Sequence, residues 1–166
     1  MQDKFNIREA SKEDLNAICE LQNHHILHTD DIYSEELKSL NELKSWFEIQ
    51  KKDGFPIIVA EVAEVFAGFA TYGRFRKRPC YSSTVEHSVY LSSGNQGLGL
   101  GRLLIEELIE IARRSGVHAM IGGIDSKNQK SIEFHKRLGF KEVGRIPEVA
   151  RKKGKWLELV MMQKVL

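Results

Sequence analysis

The sequence predicts a layered α/β or α+β fold, formed by a single domain over residues 1–166. Strand-like and helix-like apolar patterns alternate along the chain, which is typical of helices packed on a sheet. A length of 166 residues suits one domain with a full core. The composition, 42% hydrophobic and 29% charged, is that of a globular protein and not of a disordered one.

In the first half of the chain, two serine–acid pairs resemble capping boxes that begin helices. An Ile-, Val- and Ala-rich stretch with one polar break then predicts a hairpin of two buried strands. The predicted elements are a strand at 5–8, a helix begun by Ser11 and Asp14, a helix begun by Ser39 and Glu42, and strands on either side of residues 63–64 within 57–72.

In the second half, glycines mark where helices end. A leucine-rich helical stripe runs from Leu100 to a C′ glycine at Gly116, and a shorter helix closes at Gly139. Alternation in residues 85–91 places Glu86 and Tyr90 on one face of a strand and His87 on the other. The remaining predicted elements are strands at 119–124, 140–146 and 156–165 and a helix at 128–138.

Charge and cysteine content exclude several classes of protein. A formal net charge of +2 gives no global field for nucleic acid, and the two cysteines are too few for a disulfide scaffold. No His, Cys or carboxylate spacing predicts a metal site. No stretch approaches the ~20 apolar residues of a membrane span, and the first residues form no signal sequence. The sequence therefore predicts a cytoplasmic protein without metal, membrane or nucleic-acid partners.

A glycine-rich run, Gln96 to Gly101, connects a predicted strand to the leucine-rich helix. Unpaired amides and the helix dipole at such a turn bind phosphate groups, although the glycines alone fit a simple tight turn equally well. Arg102 stands where a dinucleotide-binding fingerprint has glycine, and no Walker lysine follows. The run therefore disfavours hydride transfer and nucleotide hydrolysis.

The run Gln96, Gly97, Leu98, Gly99, Leu100, Gly101 resembles the pyrophosphate-binding motif of the GNAT acetyltransferase superfamily. The helix that Asn128 opens and that ends in Leu138, Gly139 and Phe140 resembles the second half of that superfamily's cofactor site. Residues 81–91, His135, Gly154, Trp156, Asn23 and His24 resemble phosphinothricin acetyltransferases more closely.

The resemblance implies a mixed, mostly antiparallel sheet with central strands, 85–91 and 119–124, that splay apart for acetyl-CoA. It also implies that Asn128 binds the pantetheine amides, besides capping its helix, and that backbone N–H groups near Tyr90 and Leu91 stabilise the oxyanion. The implied cofactor contacts are Val89, Tyr90, Leu91, Gln96, Gly97, Leu98, Gly99, Leu100, Gly101, Arg102, Asn128 and Ser131.

Two side chains are the candidates for proton transfer. Glu86 matches the family's carboxylate, which takes a proton from the attacking ammonium directly or through water. Without that match, a strand glutamate facing solvent is the simpler interpretation. His135 stands where many superfamily members have a tyrosine that protonates the thiolate, and a packed helix histidine is an equal alternative. Tyr90 and Tyr81 are further candidate donors.

The acceptor pocket is implied by the same resemblance, as is a homodimer near it. Its substrate contacts would be Asn23, Tyr33, Arg74, Phe75, Arg76, Tyr81 and Glu86, with the cations suited to a carboxylate or phosphinate. Ala150, Arg151 and Leu157 depart from the close relatives, which changes the rim of the pocket.

The predicted function is therefore N-acetylation, from acetyl-CoA, of a small amino acid or an analogue such as phosphinothricin or methionine sulfoximine. Two alternatives stay open. One is acetylation of a protein N-terminus or lysine, which needs an open groove instead of a closed pocket. The other is a non-catalytic acyl-CoA sensor of the same fold.

Overall fold

A computed structural model describes residues 5–166, which form seven strands and four α-helices around one sheet. Short 3₁₀ turns precede the first helix and the fourth strand. The elements are β1 (Phe5–Glu9), α1 (Leu15–His28), α2 (Leu40–Lys52), β2 (Ile57–Val62), β3 (Val65–Arg74), β4 (Thr84–Leu91), α3 (Leu100–Arg114), β5 (Ala119–Asp125), α4 (Gln129–Arg137), β6 (Lys141–Lys152) and β7 (Lys155–Val165).

The strand order is β1-β2-β3-β4-β5-β7-β6, and every neighbouring pair is antiparallel except β4 and β5. Those two pair in parallel over only three residues, from Thr84 with Ala119 to Glu86 with Ile121. Beyond that point β4 stays paired to β3 as far as Leu91, and β5 stays paired to β7 as far as Asp125. The predicted splay of the central strands is therefore confirmed.

Each face of the sheet has its own core. One cluster includes the buried face of α3, with Leu104, Ile105 and Leu108, together with Val85 and Met120 from the central strands. The other includes α1 and α2 packed on Val59 and Phe69, with Tyr90 at its border. Alternation along β4 therefore sends odd-numbered side chains to the α3 face and even-numbered ones to the α1 face.

The predicted starts and turns of the elements are largely confirmed. Ser39 caps α2, with its side chain accepting from Glu42 N and the Glu42 carboxylate returning to Ser39 N. Ala63 and Glu64 both have positive φ, 48° and 66°, and form the tight turn between β2 and β3. The helix predicted from Ser11 begins with a 3₁₀ turn before α1 proper.

The strand predicted to end at residue 146 is longer, and the prediction was wrong in its length. β6 continues to Lys152 across an irregularity between Ile146 and Ala150. Pro147 lies within that irregularity, and Glu148 has a φ of 51°. A bulge tolerates a proline that cannot donate to the ladder, so the strand resumes after it.

Within residues 5–166, no helix has the length and apolarity that a membrane crossing requires.

Candidate active site

The parting of β4 and β5 opens a cavity of about 880 Å³ between the two strands, the glycine-rich turn and α4. Val89 and Leu91 of β4 line one side of the gap, and Gly122 and Gly123 of β5 line the other. The N-terminal ends of α3 and α4 close it through Gly101 and Asn128. The cavity is of the size that small-molecule and cofactor sites have.

The register of β3 and β4 decides which amides face the gap. Ser92 N donates to Ala67 O, and Phe75 N donates to Thr84 O, so even-numbered residues of β4 pair with β3. Odd-numbered residues then face β5, and beyond the last paired residues the amides of Val89 and Leu91 are left free. The expectation for Leu91 fits this geometry. The Tyr90 amide is a correction, because it points into the β3 ladder and Val89 supplies the second free donor.

The glycine-rich turn has the backbone that an anion site needs. Gly97 and Gly99 have positive φ, 80° and 87°, and Gly99 caps α3 without a side chain. The first hydrogen bond of the helix joins Leu103 N to Gly99 O, which leaves the preceding amides, including those of Gly101 and Arg102, to another acceptor.

The predicted cofactor contacts lie on the cavity wall with two exceptions. Leu98 is exposed, and the Leu100 side chain is fully buried in the core beneath the turn. Neither side chain faces the cavity, so only their backbone is available to a ligand. The other predicted contacts line it: Val89, Tyr90, Leu91, Gln96, Gly97, Gly99, Gly101, Arg102, Asn128 and Ser131.

Asn128 caps α4, accepting with Oδ1 from Ser131 N at 3.1 Å. Its Nδ2 donates to Asp31 Oδ1 at 2.9 Å, so the loop after α1 fixes the orientation of the amide. One N–H of the amide and one lone pair of Oδ1 remain for a ligand. The capping role is therefore confirmed, and contact with pantetheine stays a prediction.

Glu86 lies where the two strands part. A Cβ added to Gly123 would lie 3.3 Å from Glu86 Oε1, which places the carboxylate against β5 across the gap. The side chain is accessible to solvent, but the protein around it removes part of its hydration. This burial raises the pKa of Glu86, and the charge of Arg76 opposes the rise. A carboxylate with a raised pKa beside a cleft suits a general base.

His135 is buried, and both of its ring nitrogens are engaged. Nδ1 lies 2.7 Å from the Ser131 carbonyl, which accepts only, so Nδ1 carries the proton of the neutral ring. Nε2 lies 3.2 Å from Nε2 of His87, which must then donate to it. Burial lowers the pKa of His135, and burial together with His135 lowers that of His87 to about 3. A neutral imidazole in this arrangement has no free N–H for a thiolate.

The loop after β3 brings three of the predicted substrate residues together. Ring packing holds the segment 75–81 together. The Phe75 and Tyr81 ring centroids lie 6.0 Å apart, and the Arg76 guanidinium lies 4.8 Å from the Phe75 ring centroid. Arg76 also acts on the Glu86 carboxylate through its charge. These residues therefore form one polar and aromatic rim near Glu86, and neither they nor Glu86 are among the residues that line the cavity.

Three other predicted substrate residues are occupied elsewhere. Asn23 bonds with both ends of its amide to the backbone of Lys38, at 2.9 and 2.8 Å. The Tyr33 hydroxyl donates to Asp125 Oδ2 at 2.8 Å and lies 3.1 Å from the Glu158 carbonyl. Arg74 faces Asp53 at 3.9 Å. Their side chains position loops, and none of them lines the cavity.

The sequence did not indicate several residues that line the cavity. Lys130 and Arg137 add cations to its α4 side, where they join Arg102. His25 and Asp31 form a polar wall on the α1 side. Periodicity gives no signal for these residues, because their common position depends on how α1 and α4 cross the sheet. A candidate metal cluster of three or more His, Cys, Asp or Glu is not found among residues 5–166.

A split sheet, a free-amide turn and a carboxylate at the point of divergence define an acyl-CoA-dependent N-acetyltransferase. The family model described as Acetyltransferase (GNAT) domain matches residues 7–161. The chain belongs to the GNAT acetyltransferase family, as the motifs predicted.

Relatives share most of its length. The L-methionine sulfoximine/L-methionine sulfone acetyltransferase of Salmonella typhimurium is 42% identical over 95% of this chain and 92% of its own. The phosphinothricin N-acetyltransferase of Streptomyces coelicolor is 31% identical over 96% of this chain and 95% of its own.

Solved structures are equally similar. The acetyltransferase yncA of Salmonella typhimurium, determined with acetyl-CoA, has a TM-score of 0.95 and 41% identity, covering 98% of this chain and 94% of its own. A ribosomal-protein-alanine N-acetyltransferase of Brucella melitensis has the same TM-score and identity, with coverage of 97% and 99%.

Proposed function

We propose that this enzyme transfers an acetyl group from acetyl-CoA to the amino group of a small amino acid or an analogue of the methionine sulfoximine or phosphinothricin type. The observation that carries the proposal is Glu86, a carboxylate of raised pKa at the point where β4 and β5 part. The named activities of the 42% and 31% identical relatives support this class of acceptor.

The residues of the cavity fit acetyl-CoA. Free amides at Gly101 and Arg102, together with Lys130 and Arg137, suit its phosphates. Asn128 retains one N–H for an amide carbonyl of the pantetheine arm. The amides of Val89 and Leu91 face the gap and would stabilise negative charge on the acyl oxygen. The bound cofactor supplies a thioester, which is an activated acyl group.

Two proton transfers follow from the geometry. Glu86 takes a proton from the acceptor ammonium, directly or through water, because an ammonium group has no lone pair for attack. For the departing thiolate, Tyr90 is the better-placed donor. Burial raises the pKa of Tyr90 and keeps the phenol protonated, although a hydrogen bond with the Ser88 side chain opposes the rise; the ring also lines the cavity. The role of His135 as proton donor stays a prediction, and the hydrogen bonds of both its ring nitrogens do not favour it.

A second candidate function is acetylation of a protein N-terminus, which the 41% identical Brucella melitensis neighbour favours by its description. The rim formed by Phe75, Arg76 and Tyr81 holds a cation beside Glu86, and a cation there suits the carboxylate of a free amino acid better than the backbone of a peptide. A sensor that binds acyl-CoA without turnover is the third candidate, and the carboxylate at the gap weighs against it.

We also propose that the enzyme is a cytoplasmic homodimer. Cys19 and Cys80 are both free thiols, which suits a reducing compartment. β6 is an edge strand with nearly all of its residues exposed, among them Val143, Ile146 and Val149. These apolar side chains stand among six charged residues of β6, and a second copy that covered them would remove their apolar surface from water.

The test is thiol release from acetyl-CoA with a panel of free amino acids, methionine sulfoximine, methionine sulfone, phosphinothricin and alanine-terminated peptides. We expect saturable turnover with at least one amino-acid analogue and little with peptides. Turnover with peptides alone would replace the proposal by protein N-terminal acetylation. Binding of acetyl-CoA without turnover of any acceptor would replace it by the sensor.

A further inference from the structure

The cavity has a polar wall on its α1 side that the steps above do not use. His25, in the last turn of α1, is buried, and its ring centroid lies 5.0 Å from that of Tyr90. His25 Nδ1 lies 2.9 Å from Asp31 Oδ2, and Asp31 Oδ1 accepts from Asn128 Nδ2 at 2.9 Å. Three side chains from separate segments thus form a continuous hydrogen-bonded series along the wall.

The hydrogen bonds decide which ring nitrogen of His25 carries the proton when the ring is neutral. The bond from His25, followed by the bond from Asn128, holds the pKa of Asp31 below its usual range against the effect of burial. The ionised carboxylate only accepts, so Nδ1 of His25 carries a proton. In the neutral ring, Nε2 is then a free base.

The unprotonated Nε2 of His25 is accessible from the cavity. Nε2 of His25 makes no hydrogen bond to any residue from 5 to 166. Among those residues, His87 Nδ1 alone is a buried side-chain nitrogen or oxygen without a partner, so His25 Nε2 is not sealed from the cavity that His25 lines.

The position is on the acceptor's side of the sheet. Glu86, Ser88 and Tyr90 point to the α1 face of β4, and the glycine-rich turn begins α3 on the other face. An acceptor that approaches between α1 and β4 meets Glu86 below Ser88, and it meets His25 against Tyr90 above it. Strand geometry separates the Cα atoms of Glu86 and Tyr90 by roughly 13 Å, so a nitrogen held over Ser88 reaches Glu86, His25 or both through a bridging water.

Resting on the proposed function, we propose that His25 is a further catalytic residue that takes the second proton from the acceptor nitrogen. Glu86 takes the first proton from the ammonium. As the bond from nitrogen to the acyl carbon forms and the carbon–sulfur bond breaks, Nε2 of His25 takes the second, and the thiolate takes one from Tyr90. Glu86 and His25 then release their protons to water and Tyr90 regains one, so one proton is released for each amide formed.

The wall is built to hold this geometry. Asp31 stabilises the imidazolium that forms, as a carboxylate does in a His–Asp pair. Asp31 lies in a loop that Lys152 Nζ anchors through the carbonyls of Thr29 and Ile32, at 2.6 and 2.8 Å. The base is therefore preorganised and needs no rearrangement during the reaction.

The test uses His25→Asn in the full-length enzyme, with the best acceptor of the panel. The amide nitrogen of asparagine replaces Nδ1 and can still donate to Asp31, whereas Nε2 is lost. We expect kcat to fall about 10²-fold, with the KM for acetyl-CoA unchanged within about twofold. His28→Asn, an exposed histidine in the same turn, is the matched control and should leave kcat unchanged within about twofold.

Chemical rescue separates a catalytic from a structural role. His25→Ala leaves space for a free base, so added imidazole should restore kcat in a saturable manner, and it should not do so for Glu86→Ala. A His25→Asn enzyme that keeps kcat within about twofold, or a His25→Ala enzyme that folds and is not rescued, would overturn the assignment. A wild-type enzyme that turns over no acceptor would overturn the proposed function, and this inference with it.

Discussion

Glu86 is the residue on which the proposed chemistry depends most. Glu86→Gln keeps the size of the side chain and removes its ability to take a proton. We expect kcat to fall about 10²- to 10⁴-fold, while the Kd for acetyl-CoA, measured by calorimetry, changes by less than about twofold. A variant that binds the cofactor and retains full turnover would contradict the assignment of the base.

The pKa of Glu86 also sets the acid limb of the activity. A general base works unprotonated, so kcat/KM should fall as the pH drops through its raised pKa. Arg76 lowers that pKa, and Arg76→Ala should move the acid limb to higher pH by up to about half a unit, because exposed charges are screened. Arg78→Ala, which removes a neighbouring exposed cation, is the control. A shift toward lower pH would contradict the electrostatic role of Arg76.

At this scale the sequence predicted residue types better than contacts. The motif match located Glu86 and Asn128, and the structure places both beside the gap. The motif match did not reveal that the side chains of Asn23 and Tyr33 form hydrogen bonds that position loops. It also gave no signal for His25, because its pairing with Asp31 depends on the course of the loop between them.

Among the elements, β4 and β5 are shaped by a pair of histidines at the point where they part. His87, on β4, stacks on His135 of α4 with ring centroids 5.1 Å apart. A Cβ on Gly122 would lie 2.9 Å from Nε2 of His87, so β5 needs glycine there. The two rings and this glycine therefore define the width of the gap on the α4 side.

Gly122→Ala tests that close approach. The added methyl group should displace His87 from His135 and lower the free energy of unfolding by about 1–3 kcal/mol in urea denaturation. Gly144→Ala is the control, because a Cβ at Gly144 meets nothing within 4 Å. Equal free energies of unfolding for the two variants would show that the histidine pair can move aside without loss of stability.

The hairpin of β6 and β7 anchors the loop that follows α1. Lys152 is buried and bonds to two carbonyls of that loop, so Lys152→Met should lower the free energy of unfolding by roughly 2 kcal/mol. Lys155, which pairs with Lys152 across the hairpin and is exposed, gives the matched variant Lys155→Met. A difference of less than about 0.5 kcal/mol between the two would contradict the anchoring role.

Elements were predictable where the local signals agreed. The capping box of α2 and the glycines after α3 and α4 gave correct boundaries, since these signals act within a few residues. The extension of β6 beyond Pro147 was not predictable, because the long ladder with β7 carries it across the bulge. A local signal for a strand end was overridden by pairing distant in sequence.

At the scale of the whole molecule, the exposed edge at β6 predicts self-association. Light scattering with size-exclusion chromatography should give twice the chain mass of 19.0 kDa. Ile146→Asp places a charge on that edge and should shift the enzyme toward the monomer. Val65→Asp, at the exposed β2–β3 turn, is the control. A wild-type enzyme that is monomeric at micromolar concentration would contradict the dimer.

The sheet is in effect two half-sheets joined by three residue pairs, and the backbone amides beyond these pairs are not protected from solvent by a neighbouring strand. The amides of Val89 and Leu91 lie in the middle of the sheet, yet they should exchange with deuterium almost as fast as loop amides. The amides of Ser88 and Tyr90, which bond to β3, should exchange slowly. Of these four amides, acetyl-CoA should slow the exchange of Val89 and Leu91 only, so isotope uptake would report where the thioester lies before any product forms.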